Sequence, residues 1–309
     1  MRRQDRYRYH IAEWYGRSFV LLTPEERKQL AALQFPPRDA SQTPLCPFLS
    51  RPGKPVTCWK SGGVCSIRIY RQTQEGEVSV AEGALGEPCA LCPSRLVEAD
   101  VAFKWAGDVL LNCPDPFIVA EIPFLERVRP EGADPDEEGR EGVGRIDNVL
   151  IAKPGTDPLI WCPLEVQAVY FSGKAMDNDF TELLTNEDPL PFPLIVRRPD
   201  WRSSGPKRLM PQLQIKVPTL RRWGKKMAVV VDRRFFQSLG RMEQVAQVSN
   251  CDIAWFVLTY QDAKDGIHLG RDQVYLTTLE SAVIGLTNGV PVSQEVFERR
   301  IRLKLAATV

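Results

Sequence analysis

Two acids and an amide stand on neighbouring strand-like segments. Residues 145–152 (RIDNVLIA) carry Asp147, residues 154–158 (PGTDP) read as a turn, and residues 159–171 (LIWCPLEVQAVYF) carry Glu165 and Gln167. Side chains alternate faces along a strand, so Glu165 and Gln167 point one way and Val166 the other. Pairing the two segments brings Asp147 beside them. Charged groups on apolar strands are costly unless paired or metal-bound. Two adjacent carboxylates repel each other, and their hard oxygens favour Mg²⁺ between them. A cation held there would polarise a phosphodiester, activate an attacking water and stabilise the transition state. A salt-bridged or solvent-facing hairpin would use the same residues.

Five of the eight cysteines fall between residues 46 and 92: Cys46, Cys58, Cys65, Cys89 and Cys92. Glycine and proline flank nearly all of them, as tight turns around a metal require. Thiolates are soft ligands suited to zinc or iron, and four complete a closed tetrahedral shell with a structural role. Only Cys89 and Cys92 form a C-x-x-C pair, so the spacing leaves the ligand set open between a metal site and buried free thiols. Cys113, Cys162 and Cys251 sit in apolar contexts and read as core residues. The two histidines, His10 and His268, lack the surroundings of a Ser-His-Asp or Cys-His enzyme, and a histidine-rich metal site is excluded.

Charge is segregated. The chain has 40 Lys and Arg against 39 Asp and Glu, a net +1. Residues 121–142 hold eight acids and three arginines, whereas residues 197–234 hold twelve Lys or Arg against Asp200 and Asp232. Such a basic stretch can neutralise phosphates and steer a polyanion inward. Its candidate nucleic-acid contacts are Arg202, Lys207, Arg208, Lys216, Arg221, Arg222 and Lys225. No apolar run reaches the ~20 residues that span a bilayer, and no apolar segment follows the basic start, so a membrane is not expected and the cytoplasm is.

The elements that must position these residues are legible in outline. Thr23-Pro-Glu-Glu opens a helix that runs to about residue 33. Strands are predicted at 66–70, 117–124, 145–152 and 159–171, and central, doubly covered strands at 226–231 and 252–260. Helices are predicted at 93–105, 209–223 (bent near Pro218), 277–286 and 293–307, with a loop at 197–207 and another at 130–143. Strands alternating with helices from residue 100 onward give an α/β layer architecture. The cysteine segment suggests a division into 1–100 and 101–309.

Asp followed at a distance by Glu-x-Lys is the signature of PD-(D/E)xK nucleases. Here seventeen residues separate Asp147 from Glu165, and Gln167 stands in the lysine position. Several ordered blocks resemble the NotI-type restriction endonucleases: IAEWYG at 11–16, CPF at 46–48, C-x-K at 58–60, GGVC at 62–65, CP-x-R at 92–95, the Asp147 strand and LEVQAVYFSG at 164–173. The resemblance implies a PD-(D/E)xK restriction-endonuclease-like core, a mixed sheet flanked by helices, joined to an N-terminal four-cysteine module holding iron or zinc. By block position the ligands are Cys46, Cys58, Cys65 and Cys92, with Cys89 as the alternate. It also implies Mg²⁺ held by Asp147, Glu165 and the Val166 carbonyl, with Glu121, or failing that Glu126, as a further acid. Gln167 would hydrogen-bond the attacking water. Because an amide supplies no charge, the cation's own water, Lys174 or Lys216 must make up the deficit. Double-stranded DNA is then the substrate, a homodimer cuts both strands, and a cognate DNA methyltransferase is an expected companion. The rivals are a catalytically inactive or nicking DNA-binding protein and a metal-thiolate redox protein.

Overall fold

In the computed structural model, residues 5–35, 43–125, 144–171, 176–289 and 292–308 are described. The acidic loop predicted at 130–143, Glu126 and Lys174 lie outside the described residues.

The chain begins with a strand that local patterning did not suggest, β1 (Arg6–Trp14), followed by β2 (Arg17–Ser18). Helix α1 (Pro24–Ala32) starts where expected, because Thr23 and Glu26 form a reciprocal capping box. Strands β3 (Val64–Gln72), β4 (Val78–Val80) and β5 (Cys89–Ala90) complete a five-stranded sheet with β3 at its hub. The helix predicted at 93–105 is two pieces. A 3₁₀ stretch covers 93–100, Ala99 and Asp100 take positive φ, and α2 (Val101–Leu111) starts afresh.

A six-stranded mixed sheet follows. Its members are β6 (Phe117–Leu125), β7 (Gly144–Ile151), β8 (Trp161–Val166), β11 (Met227–Asp232), β12 (Ile253–Ala263) and β13 (Gly266–Thr277), in the spatial order β13-β12-β11-β8-β7-β6. Strands β8, β11 and β12 run parallel and the other neighbours antiparallel. Every residue of β11 is buried, as its unbroken apolar run requires of a doubly covered strand.

The predicted strand at 159–171 divides. Strand β8 stops at Val166, and β9 (Tyr170–Phe171) pairs instead with β10 (Pro199–Asp200). Helix α3 (Asp177–Leu183) lies between them in sequence. The predicted loop at 197–207 is helical from Trp201. Asp200 caps α4 (Trp201–Ser204), Gly205-Pro206 is absorbed into a π-helical turn, and α5 (Met210–Arg222) continues with Pro218 inside. A π turn leaves room for a ring that would break a regular helix. Helices α6 (Arg233–Ser238), α7 (Leu279–Thr287) and α8 (Gln294–Thr308) complete the chain.

One apolar core joins the two sheets, running from Ile11, Trp14 and Ile67 through Leu213 and Leu220 to Val229 and Trp255. A second lies on the opposite face of the six-stranded sheet under α2, with Phe103, Leu164, Val230 and Phe256. His10 is buried in the first, edge-on to Phe19 at 4.8 Å and Tyr70 at 5.8 Å. Burial foremost, then Arg197 and Arg27, lower its pKa to about 3. The unfolded chain takes up this proton near pH 6.5 and the folded chain does not, so folding loses stability as pH falls below 6.5. From pH 7 to pH 5 this group should remove about 2 kcal/mol. His10→Phe should flatten that slope in urea unfolding; an unchanged slope would show that His10 is not the titrating group.

Candidate functional site

Asp147 and Glu165 are locked together by the β7–β8 ladder. The Val166 N–H donates to Asp147 Oδ2 at 3.1 Å, and the Asp147 N–H donates to Glu165 Oε1 at 3.3 Å. Glu165 is 1% exposed. Burial first, then the Asp147 charge, push its carboxyl up to about 7, against the opposing pull of Lys216. Burial also raises Asp147, helped by Glu121 and opposed by the Val166 N–H and Lys216. Two acids with raised pKa values held at one point on a sheet are a hard-oxygen pair in need of positive charge, and that donor chemistry fits Mg²⁺.

Glu121 sits on edge strand β6, where Ala120 pairs with Asn148 and Ile122 with Ile146, so it falls opposite Asp147. Its φ is +54°, a conformation costly for a non-glycine residue and found where a site constrains the chain. Its carboxylate is exposed and accepts from Arg145 Nη1 at 2.9 Å. Asp147, Glu121 and Val166 open on a cleft of about 530 Å³. The far wall comes from the cysteine segment and the turn after it, with Leu49, Arg51, Ser94, Val97 and Asp100. Arg51 is the cation among the described lining residues, and it is held by Asp100 Oδ1 at 2.7 Å. Nothing local in the sequence marks Arg51 or Asp100 as part of this wall.

Gln167 lies beyond the end of β8. Its backbone N–H donates to the Val230 carbonyl at 3.0 Å, and its carboxamide hydrogen-bonds the Ala168 carbonyl. Lys216 was expected to contact DNA or to make up the charge that Gln167 lacks. It does not face outward: it is 4% exposed, with Nζ 2.7 Å from Glu165 Oε1. The cause is helical phase, since Leu213, Lys216, Val217 and Leu220 form the buried stripe of α5. Arg221 is engaged by Asp252 and Glu280, and Lys225 lies over the Trp161 ring at 5.0 Å. Arg202, Lys207, Arg208 and Arg222 are exposed, with Arg208 stacked 4.6 Å from the Tyr170 ring centre.

The cysteines sort into two sets. Residues 44–58 fold back on themselves through the Cys46 N–H to the Val56 carbonyl at 2.7 Å and the Cys58 N–H to the Pro44 carbonyl at 3.0 Å. This brings Cys46 and Cys58 to Cys65 around Phe48. Cys92 joins them: its N–H donates to the Cys65 carbonyl at 3.2 Å, and its thiol adds to the burial that raises Cys58 and Cys65. The Gly16 N–H donates to Cys65 Sγ at 3.3 Å, a contact that stabilises a thiolate. Cys89 belongs elsewhere, buried against Asp232. Four soft, mutually felt thiols, three buried and Cys58 half-buried, suit zinc or iron in chemistry. Among the described residues no three of His, Cys, Asp and Glu stand close enough together to hold a metal ion, at either place.

A family model described as restriction endonuclease NotI matches residues 28–270, a span containing the thiol cluster, the cleft and α5. No curated protein matches the chain. A match over most of the chain carries one conclusion: it belongs to the NotI restriction endonuclease family.

Proposed function

We propose that this protein is a Mg²⁺-dependent type II restriction endonuclease that hydrolyses both strands of a specific double-stranded DNA site as a homodimer. The observation that carries this is the Asp147–Glu165 pair, interlocked through main-chain hydrogen bonds, with Asp147 lining the cleft and Glu165 buried next to it. Bound Mg²⁺ would supply Lewis acidity to the scissile phosphate and to the attacking water. Asp147, Glu165 and the Val166 carbonyl would hold it, with Glu121 as a further acid. Gln167 would orient water through its carboxamide, and Arg202, Lys207, Arg208 and Arg222 would track the phosphate backbone. Cys46, Cys58, Cys65 and Cys92 would hold one structural iron or zinc ion that keeps the far wall of the cleft in place.

No helix among the described residues is long and apolar enough to cross a membrane. A cytoplasmic enzyme of this kind needs its host DNA protected, so a cognate methyltransferase belongs to the same proposal. One observation favours the inactive or nicking alternative: Gln167 is uncharged and its amide is occupied by the Ala168 carbonyl. Incubating phage and plasmid DNA with the purified protein and Mg²⁺, then mapping the ends, tests both. Discrete fragments with a common end sequence are expected. Single-strand nicks alone would favour the alternative, and DNA left intact in Mg²⁺ and Mn²⁺ would remove the endonuclease reading.

A further inference from the structure

We propose that Lys216 supplies the positive charge that the Glu-x-Gln segment lacks, reaching Glu165 from α5 instead of from position 167. This rests on the nuclease reading above.

The placement is hard to explain as packing. The stripe of α5 that meets the sheet is otherwise Leu213, Val217 and Leu220, and an apolar residue at 216 would continue it. A buried ammonium is tolerated only with a partner, and replacing a buried ion pair by apolar groups is often neutral or stabilising. Lys216 has Glu165 at 2.7 Å and Gln212 Oε1 at 3.4 Å, and its charge is also felt at Asp147. The chain therefore carries a lysine where an apolar residue would continue the stripe, and aims it at Glu165, the acid interlocked with Asp147.

Other cations of the basic stretch are engaged away from these acids. Arg221 holds Asp252 and Glu280, Lys226 donates to the carbonyls of Ser249 and Cys251, and Lys225 lies over Trp161. Arg51 across the cleft is paired with Asp100.

Hydrolysis explains why a fixed cation matters. Water bonds to phosphorus through its oxygen and gives up a proton. The P–O3′ bond breaks with its electron pair on O3′, which takes a proton from solvent. Negative charge gathers on the phosphoryl oxygens between these events, beside two carboxylates. A preorganised ammonium offsets that charge, which an amide cannot do. Lys216 acts here as a cation throughout; it is not the base.

The test compares full-length Lys216→Met, Lys216→Gln and the double variant Gln167→Lys/Lys216→Met with wild type. Single-turnover cleavage is measured with Mg²⁺, DNA affinity with Ca²⁺ in its place, and the thermal midpoint alongside. Lys216→Gln keeps a hydrogen-bond donor for Glu165 and so guards against a variant that fails to fold. Both single variants should cut at least 100-fold more slowly, with affinity within threefold of wild type. Returning a lysine to position 167 should recover at least tenfold of the loss in Lys216→Met, which a purely structural pair would not allow. Cutting within threefold of wild type by Lys216→Gln, or a loss that Gln167→Lys leaves untouched, overturns the proposal. If these variants cut normally while Asp147→Asn does not, only the role of Lys216 fails. If wild type cuts no DNA, the nuclease reading fails with it.

Discussion

Asp147→Asn should lower single-turnover cleavage by about a thousandfold or more, equivalent to roughly 4 kcal/mol of activation barrier. The amide has nearly the same shape as the carboxylate and keeps an oxygen that can accept from the Val166 N–H, the 3.1 Å contact that ties β7 to β8. What is lost is one negative charge beside Glu165. That charge is costly to the folded state, because burial raises the Asp147 pKa and Asp147 in turn helps to raise Glu165. The thermal midpoint should therefore stay level or rise while activity collapses, the opposite of what a damaged fold would give. DNA affinity measured with Mg²⁺ replaced by Ca²⁺ should weaken if the ion bridges Asp147 and the phosphate. Cleavage within tenfold of wild type would show that Asp147 does not hold the catalytic ion, whatever its position in the cleft.

How far the sequence foretold this site depended on where the partner of each residue lay. Asp147 and Glu165 were legible because a turn separates two adjacent strands and the ladder between them is local. Strands β11 and β12 were legible because burial on both faces demands an unbroken apolar run. Strand β1 was not, since RYRYHIAEW carries two buried ionisable residues, His10 and Glu13, that a local window reads as solvent-facing. The partner that reconciles Glu13 with burial, Arg95, is 82 residues away. The sequence leaves Lys216 between DNA contact and the charge that Gln167 lacks for the same reason: charge density marks a basic stretch, while helical phase decides which cation turns inward to an acid 51 residues distant. Gly205-Pro206 reads as a breaker in any propensity argument, yet a π turn carries the helix through it. The cleft itself has no sequence signal, because its lining is drawn from segments as far apart as Leu49 and Val166.

Arg95→Met should cost about 3–5 kcal/mol in urea unfolding, the range for breaking one side of a buried ion pair. Arg95 is 0% exposed and joins four parts of the fold. Its Nε donates to Glu13 Oε2 on β1 at 2.6 Å, its Nη1 to Glu98 at 2.9 Å, and its Nη2 to the Ile267 carbonyl on β13 at 2.8 Å. The guanidinium plane is flanked by Phe48 from the cysteine segment and by Tyr260 from β12. Methionine fills much of the volume but leaves Glu13 buried without a counter-charge. Glu13 already has a raised pKa, burial outweighing the pull of Arg95, and loss of Arg95 raises it further. A carboxyl whose folded pKa is raised destabilises the fold above that pKa and ceases to do so as it protonates. The deficit of Arg95→Met should thus be greatest at high pH and shrink on acidification, and adding Glu13→Gln should recover part of it at pH 8. Pro93, Ser94 and Val97 bracket Arg95 and line the cleft, while Cys92 and Cys65 adjoin the same network. The variant should therefore also cut more slowly at temperatures where it remains folded. A loss under 1 kcal/mol with no pH dependence would mean that Arg95 is not a tie between the two sheets.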